Sequence, residues 1–136
     1  MSRWAIGYGA TAFAFLVLDG IWLSAAAPTL YRSALGPLLS QRIQALPAVA
    51  FYLIYVAGIV GLAVAPALAM TNPLAPVALG AGLGFVAYAT YDLTNLATLA
   101  GWPARIAILD MGWGTIATAL AALAGFLAMT HLAPLS

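Results

Sequence analysis

Long apolar stretches separated by brief polar connections make up most of this chain. Four stretches are each long enough to cross a bilayer, which takes roughly 20 apolar residues. They run over residues 4–27, 47–70, 74–100 and 105–131. Asn72-Pro73 and Gly101-Trp102-Pro103 form short turns between the last three stretches, and short connections make consecutive helices antiparallel neighbours. The pattern predicts an all-α polytopic membrane protein: a single domain over residues 1–136, built as an antiparallel bundle of four transmembrane helices.

The connection over residues 28–46 is the only long polar one, and it has a periodicity of its own. Leucine and isoleucine recur in it at spacings of three and four, the amphipathic pattern of a short helix lying in the headgroup plane. Gly36-Pro37 breaks or begins that helix. We therefore predict a short interfacial amphipathic helix between the first two spans.

The N-terminal stretch has some features of a secretory signal. It combines Arg3, an apolar run and the small residues of Ser24–Ala27, which resemble a cleavage site. Asp19 interrupts the apolar run, however, and Pro28 would follow the scissile bond. We expect this stretch to be retained as the first span.

The composition indicates that lipid, not water, surrounds the chain. Of its 136 residues, 65% are hydrophobic and 5% are charged, and the mean hydropathy is +1.08. A soluble domain carries about a quarter charged residues. This chain therefore cannot cover itself with a wetted surface.

Residue types that are missing or rare exclude several classes of chemistry. The absence of cysteine excludes disulfides, thiolate catalysis and cysteine-ligated metal sites. The single histidine, His131, lies near the C-terminal end, so one copy cannot form a bis-histidine site. The four arginines are scattered and the net charge is +1, whereas nucleic acid binding needs clustered basic residues. We expect no cofactor, no metal and no nucleic-acid partner.

The placement of arginine predicts the orientation in the membrane. Arg32, Arg42 and Arg105 fall on one side of the predicted bundle, and Arg3 falls on the other. Cytoplasmic connections carry the excess of positive charge in membrane proteins. We therefore expect the connections with arginine in the cytoplasm and both termini outside.

Three aspartates, Asp19, Asp92 and Asp110, are the only acidic residues, and each lies inside a predicted span. An ionisable group at this depth is costly and normally faces the interior of the bundle or a wet cavity. Counted from the predicted span ends, all three lie roughly 8–12 Å below the same face of the membrane, at 1.5 Å per residue. The sequence thus predicts one polar layer near the arginine-rich side.

Aromatic and amide side chains share helical faces with these carboxylates. The spacings of three and four residues along each span bring them to the same side of the helix. The predicted result is a pocket with aromatic walls and a few convergent polar groups, the usual composition of a small-molecule site. The second span contributes Tyr52 and Tyr55 as a wall. The candidate ligand-binding residues are Asp19, Trp22, Tyr88, Tyr91, Asp92, Asn95, Asp110 and Trp113.

A purely structural polar layer is the alternative. Buried carboxylates often pair with arginine, and Arg42 and Arg105 lie close enough in depth to reach the layer by snorkelling. We expect at least one such ion pair. Three acids and two arginines leave one acid unmatched, which favours a functional site.

The third span also carries a seam of small residues at Gly80, Gly82 and Gly84. Such seams let helix backbones approach closely. The favoured interpretation is tight packing within the bundle, with a dimer interface as the alternative.

The same residues resemble a known family. The residues that carry the resemblance are Phe51–Tyr55, the run from Tyr88 to Leu99, the Gly101-Trp102-Pro103 turn, and Asp110 with Trp113-Gly114-Thr115. They are similar to a family of small bacterial predicted membrane proteins catalogued as a domain of unknown function. The resemblance covers essentially the whole chain. It implies a multi-pass protein of the bacterial inner (cytoplasmic) membrane, and it implies no particular activity.

Several functions fit this pattern. The leading hypothesis is a protein that binds a lipid or small ligand in the intramembrane pocket, with an accessory role in lipid modification as one form of it. The alternatives are a small transporter coupled to protons or cations, and an assembly subunit of a larger membrane complex. An enzyme is less favoured, because there is no cysteine and no central histidine. Membrane lipids are the expected partners, and a homodimer or a larger membrane complex stays open.

Overall fold

Four long helices account for most of the chain in the computed structural model, which describes residues 2–39 and 42–133. They are α1 (Arg3–Leu38), α2 (Ala45–Leu68), α3 (Ala75–Thr98) and α4 (Ala104–His131). Helices α1, α2 and α4 are long and apolar enough to cross a membrane by length and composition. The prediction of an all-α polytopic membrane protein is confirmed.

Helix α3 is more polar than the other three, and its neighbours show that it runs the length of the bundle. Its Gly80 packs beside Ala122 of α4, and its Gly84 packs beside Gly114, so the two helices are antiparallel. At the ends of the chain, Arg3 Nε donates to the carbonyl oxygen of Met129 at 3.1 Å. The first and last helices therefore begin and end on the same side, which requires an even number of passes.

Helix α4 is the central element. Small residues at its contacts allow both α1 and α3 to approach it closely. Gly7 of α1 lies against the Met129 side chain, and Thr11 lies against Gly125. The residue numbers rise along α1 as they fall along α4, so these helices are also antiparallel. Helices α1 and α3 therefore run in the same direction on either side of α4.

Helix α1 continues well beyond its predicted end at residue 27. A π-helical turn, Ala27–Tyr31, and an α-helical turn, Arg32–Leu35, extend it. Gly36, with φ of +39°, then breaks the α-helix before a final 3₁₀ turn. Of the interfacial helix predicted over residues 28–46, the part up to Leu38 is helical, and it is continuous with α1 instead of separate. The reason is that Pro28, which cannot donate a backbone hydrogen bond, is accommodated in the wider π turn. Residues 40 and 41 lie outside the described residues, and the location in the headgroup plane stays a prediction.

Both predicted turns end and restart helices as expected. Asn72 Oδ1 accepts a hydrogen bond from the Leu74 backbone N–H at 2.9 Å, just before α3 begins. Gly101 has φ of +80°, a conformation that a side chain disfavours, and it separates α3 from α4. These turns fix α2, α3 and α4 as consecutive neighbours.

The interior of the bundle is small, and apolar side chains cover its outside. Phe15 and Ile59 are completely buried where α1 and α2 approach α4. By contrast, Phe13, Ile54 and Ile108 are 72%, 73% and 71% exposed. Large exposed apolar side chains on several helices are stable in lipid and costly in water. This surface agrees with a membrane location.

The glycine seam on α3 is used for packing within the bundle. A Cβ added at Gly80 would lie 2.9 Å from the Ala119 Cα of α4, and one at Gly84 would lie 2.7 Å from the Thr118 side chain. A Cβ at Gly82 would meet open space. Gly80 and Gly84 therefore permit the close approach of α3 and α4, and Gly82 does not take part.

The substitution Gly84→Ala is expected to destabilise the bundle. Its methyl group would press on the backbone of α4, and overpacking of this kind costs about 1–3 kcal/mol. The measurement is thermal unfolding of the purified protein in detergent micelles. Gly82→Ala is the matched control and is expected to leave the melting temperature unchanged. An equal loss of stability in both variants would contradict this assignment of the seam.

Candidate functional site

The three aspartates of the sequence meet around two adjoining cavities. One cavity, about 270 Å³, is lined by Asp19 of α1, Asp92 of α3 and Asp110 of α4. We call it the cover-side cavity, because residues 27–39 of α1 cover it. The tyrosine-side cavity, about 340 Å³, is lined by Asp19 and Asp110 again, and by Tyr55 and Tyr88. Since both cavities share Asp19, Tyr91 and Asp110, they adjoin at these residues. The predicted convergence of the acids is what the structure shows.

The cover segment, residues 27–39, closes one side of this arrangement. Along a straight helix, nine residues span about 13.5 Å and end on opposite faces. The rings of Trp22 and Tyr31 are nine residues apart, yet their centroids are separated by only 6.4 Å. The helix must therefore bend between them, at the π turn that contains Pro28. The bend turns Tyr31 and Leu35 toward the cover-side cavity.

A short hydrogen-bonded chain holds Asp110 in place. Trp22 Nε1 donates to the Tyr31 hydroxyl at 3.0 Å, and that hydroxyl donates to Asp110 Oδ1 at 2.7 Å. The Trp22 ring also stacks on the Trp113 ring of α4, with centroids 4.8 Å apart and planes within 6° of parallel. The indole stack and the hydroxyl link connect the bent end of α1 to α4.

Asp19 obtains its hydrogen bond from α2. The Tyr52 hydroxyl donates to Asp19 Oδ2. One turn farther along α2, Tyr55 shares a hydrogen bond of 2.7 Å with the Thr118 hydroxyl of α4. The tyrosines of α2 were predicted only as a wall. In the structure Tyr52 serves an acid and Tyr55 lines the tyrosine-side cavity.

Asp92 differs from the other two acids. It is 0% exposed, and no hydroxyl or N–H group of the residues that the structure describes donates to either of its carboxylate oxygens. The Asp110 carboxyl group lies within hydrogen-bonding reach of it, so the two acids can share one proton. A buried polar group left without a partner costs about 1–3 kcal/mol, and more when it is charged. Asp92 is therefore the one acid in this layer that only a second carboxyl group, and no hydroxyl, indole or basic side chain of the described chain, can serve.

Two indole N–H groups near this layer are also without acceptors in the described part of the chain. They belong to Trp102, which lines the cover-side cavity, and to Trp113 of the indole stack. The cavity wall thus presents both an unused acceptor, on Asp92, and an unused donor, on Trp102.

The remaining predicted residues occupy different positions relative to the cavities. Tyr88 lines the tyrosine-side cavity and rests on Gly114, where any side chain would collide with its ring. Trp113 lies one layer behind, against Trp22. Asn95 is half-buried and lies outside the lining of both cavities. The ion pairs predicted for Arg42 and Arg105 stay predictions. Arg105 is exposed at the start of α4.

Sequence reasoning missed several contributors to the cover-side cavity, and Tyr31, Leu35 and Trp102 are the most informative of them. Tyr31 and Leu35 were assigned to an interfacial segment, and Trp102 was seen only as part of a turn. The sequence did offer one indication of them: all three lie near the ends of helices that carry an aspartate, and therefore at a depth close to that of the acids. Only the bend at Pro28 brings the first two inward.

The acids surround space without forming a compact ligand set for a metal. Among the described residues, no group of three histidine, cysteine, aspartate or glutamate side chains is arranged to hold a metal ion. The three carboxylates are instead distributed around the two cavities. The arrangement suits contact with a molecule larger than a single ion.

Comparison with known proteins gives one finding. A family model described as "Predicted membrane protein (DUF2177)" matches residues 4–127, which cover most of the four helices and contain all three aspartates. No curated protein and no solved structure matches the chain.

Removing the Tyr31 hydroxyl is expected to loosen the cover segment. The protein has no native cysteine, so Leu35→Cys, at a position that is 7% exposed, provides a unique reporter thiol. Adding Tyr31→Phe should raise the maleimide labelling rate of that thiol about fivefold, corresponding to about 1 kcal/mol for one hydrogen bond. Tyr8→Phe, which removes a hydrogen bond to the Leu53 carbonyl outside both cavities, is the control. An unchanged rate with Tyr31→Phe would show that the Asp110 link does not hold the segment.

Proposed function

This chain belongs to the DUF2177 family of predicted membrane proteins, and we propose that it binds a lipid or small ligand in the pocket formed by the two cavities. The observation that carries the proposal is the buried carboxylate of Asp92, to which no hydroxyl or N–H group of the described chain donates and which faces a second carboxyl group, Asp110. Polar groups buried in native proteins are nearly always hydrogen-bonded. A ligand that donates to Asp92 supplies the missing partner.

The size and lining of the cavities support the same function. Small-molecule sites are typically clefts of about 300–1,000 Å³ with apolar and aromatic walls and a few convergent polar groups. The tyrosine-side cavity measures about 340 Å³ and adjoins the cover-side cavity of about 270 Å³. Aromatic rings line both, and the three carboxylates are their principal polar groups.

The rim of the tyrosine-side cavity supports an amphipathic ligand. Phe51 of α2 and Tyr91 of α3 line this cavity and are 45% and 55% exposed, so the cavity reaches the outer surface of the bundle between these helices. That outer surface is apolar. A ligand with a polar head among the acids and an apolar tail along the surface satisfies both environments.

A bound lipid should accompany the protein through purification. We expect mass spectrometry of the wild-type protein, extracted in mild detergent, to show one lipid class enriched over the bulk membrane. Asp92→Leu should abolish the enrichment, because the leucine side chain cannot accept a hydrogen bond from the ligand. Thr11→Val is the matched control, since Thr11 is also fully buried with an unpartnered hydroxyl but lies away from both cavities. Recovery of bulk lipid alone from wild-type protein would count against the proposal.

Asp92 should also reduce the stability of the ligand-free protein. Replacing it with Leu removes an unpartnered polar group from the interior, which is expected to raise the free energy of unfolding by about 1–3 kcal/mol. Chemical or thermal unfolding of delipidated protein measures the change. A structural or assembly role for Asp92 predicts the opposite result, a loss of stability or of protein abundance.

A further inference from the structure

We propose that the ligand of this pocket carries a positively charged nitrogen, as an amine or quaternary ammonium group, which lies among the three carboxylates. The inference rests on the proposed function and specifies the chemistry of the ligand's head. It follows from the charge of the cavity lining, from the aromatic walls, and from the way in which the hydrogen-bond donors of the chain are already used.

The charged side chains that line the two cavities in the described part of the chain are all acidic. Asp19, Asp92 and Asp110 line the cover-side cavity, and no basic residue lines either cavity in the described part of the chain. Coulomb interactions are stronger in a low-dielectric interior than in water, so like charges gathered there are costly. A cationic ligand reduces that cost directly, whereas an anionic ligand increases it.

Two of the three acids receive a hydrogen bond from a tyrosine hydroxyl of the described chain, and the third does not. The hydroxyls of Tyr52 and Tyr31 donate to Asp19 and Asp110, respectively. Asp92 is completely buried, and no hydroxyl or N–H group of the described chain donates to it. The side chain within hydrogen-bonding reach is a second carboxyl group, Asp110. A ligand with a positively charged nitrogen supplies the charge that this pair of acids lacks.

Aromatic rings form the rest of the cover-side cavity. Trp22, Tyr31, Tyr91 and Trp102 all line it. The rings of Tyr91 and Trp102 meet edge to face, with centroids 5.8 Å apart and planes at 88°, and form a corner of the wall. The faces of such rings attract organic cations, and desolvated contacts of this type contribute about 2 kcal/mol.

An organic cation fits better than a metal ion. Hard cations such as Mg²⁺ and Ca²⁺ need six or more oxygen ligands within about 2.6 Å. The described residues contain no group of three side chains arranged to hold a metal ion. A substituted nitrogen is large enough to touch carboxylates that are spread around a cavity, and its carbon substituents suit the aromatic walls.

The test uses four probes with the same ten-carbon chain and different heads: decylammonium, decyltrimethylammonium, 1-decanol and decyl sulfate. Each is titrated by calorimetry into the delipidated protein in micelles of dodecyl maltoside, a detergent without charge or nitrogen, with empty micelles as the reference for partitioning. We expect saturable binding of one or both cationic probes. The neutral and anionic probes should bind at least about tenfold more weakly, a difference equivalent to about 1.4 kcal/mol.

Asp92→Asn identifies the site of binding. This variant should lower the affinity for the cationic probes about ten- to a hundredfold, which is the loss expected for one interaction with a charged group. It should leave the affinity for 1-decanol unchanged. Thr11→Val should leave the binding of all four probes unchanged. Preference for decylammonium would assign the carboxylates as the main contact, and preference for decyltrimethylammonium would assign the aromatic faces.

Two different failures can be told apart. Equal or tighter binding of 1-decanol or decyl sulfate, with cationic binding insensitive to Asp92→Asn, would overturn the cationic head and leave the proposed pocket standing. No binding of any probe above the empty micelles, with no lipid enriched on the purified protein, would overturn the proposed function as well.

Discussion

The close contact between α4 and its two neighbours determines everything else in this protein. Gly80 and Gly84 of α3 lie against the backbone of α4, and Gly7 and Gly125 allow α1 a similar approach. In a membrane, where burial from water does little to drive helix association, such packing stabilises the bundle. The contact also sets the register of the helices. Asp92 lies beside Asp110 because Gly84 lies beside Gly114.

The second determinant is the bend in α1. A straight helix would carry Tyr31 and Leu35 away from the bundle, and the acids would border an open cleft. With the π turn at Pro28, the same residues return over the carboxylates, and Tyr31 holds Asp110. π turns are rare and occur often at functional sites. Here the irregular turn supplies one wall of a cavity that four regular helices would leave incomplete.

The sequence predicted the helices, the turns and the common depth of the acids, because these depend on local periodicity and on the length needed to cross a bilayer. It also predicted packing through the glycines of α3. It missed Tyr31 as a cavity residue, since no local pattern reveals how far a helix bends at Pro28. The role of Tyr52 as the partner of Asp19 was not foreseen either, because it depends on the rotation of α2 relative to α1.

Arg3 of α1 meets Met129 of α4 at one end of the bundle, and the acidic pocket lies toward the other end. The pocket therefore belongs to one half of the bundle. Under the proposed function, a lipid headgroup bound there comes from a single leaflet, and lipids of the opposite leaflet reach the site only after crossing the bilayer. The proposed occupancy then follows the composition of that leaflet and not the total lipid content of the membrane.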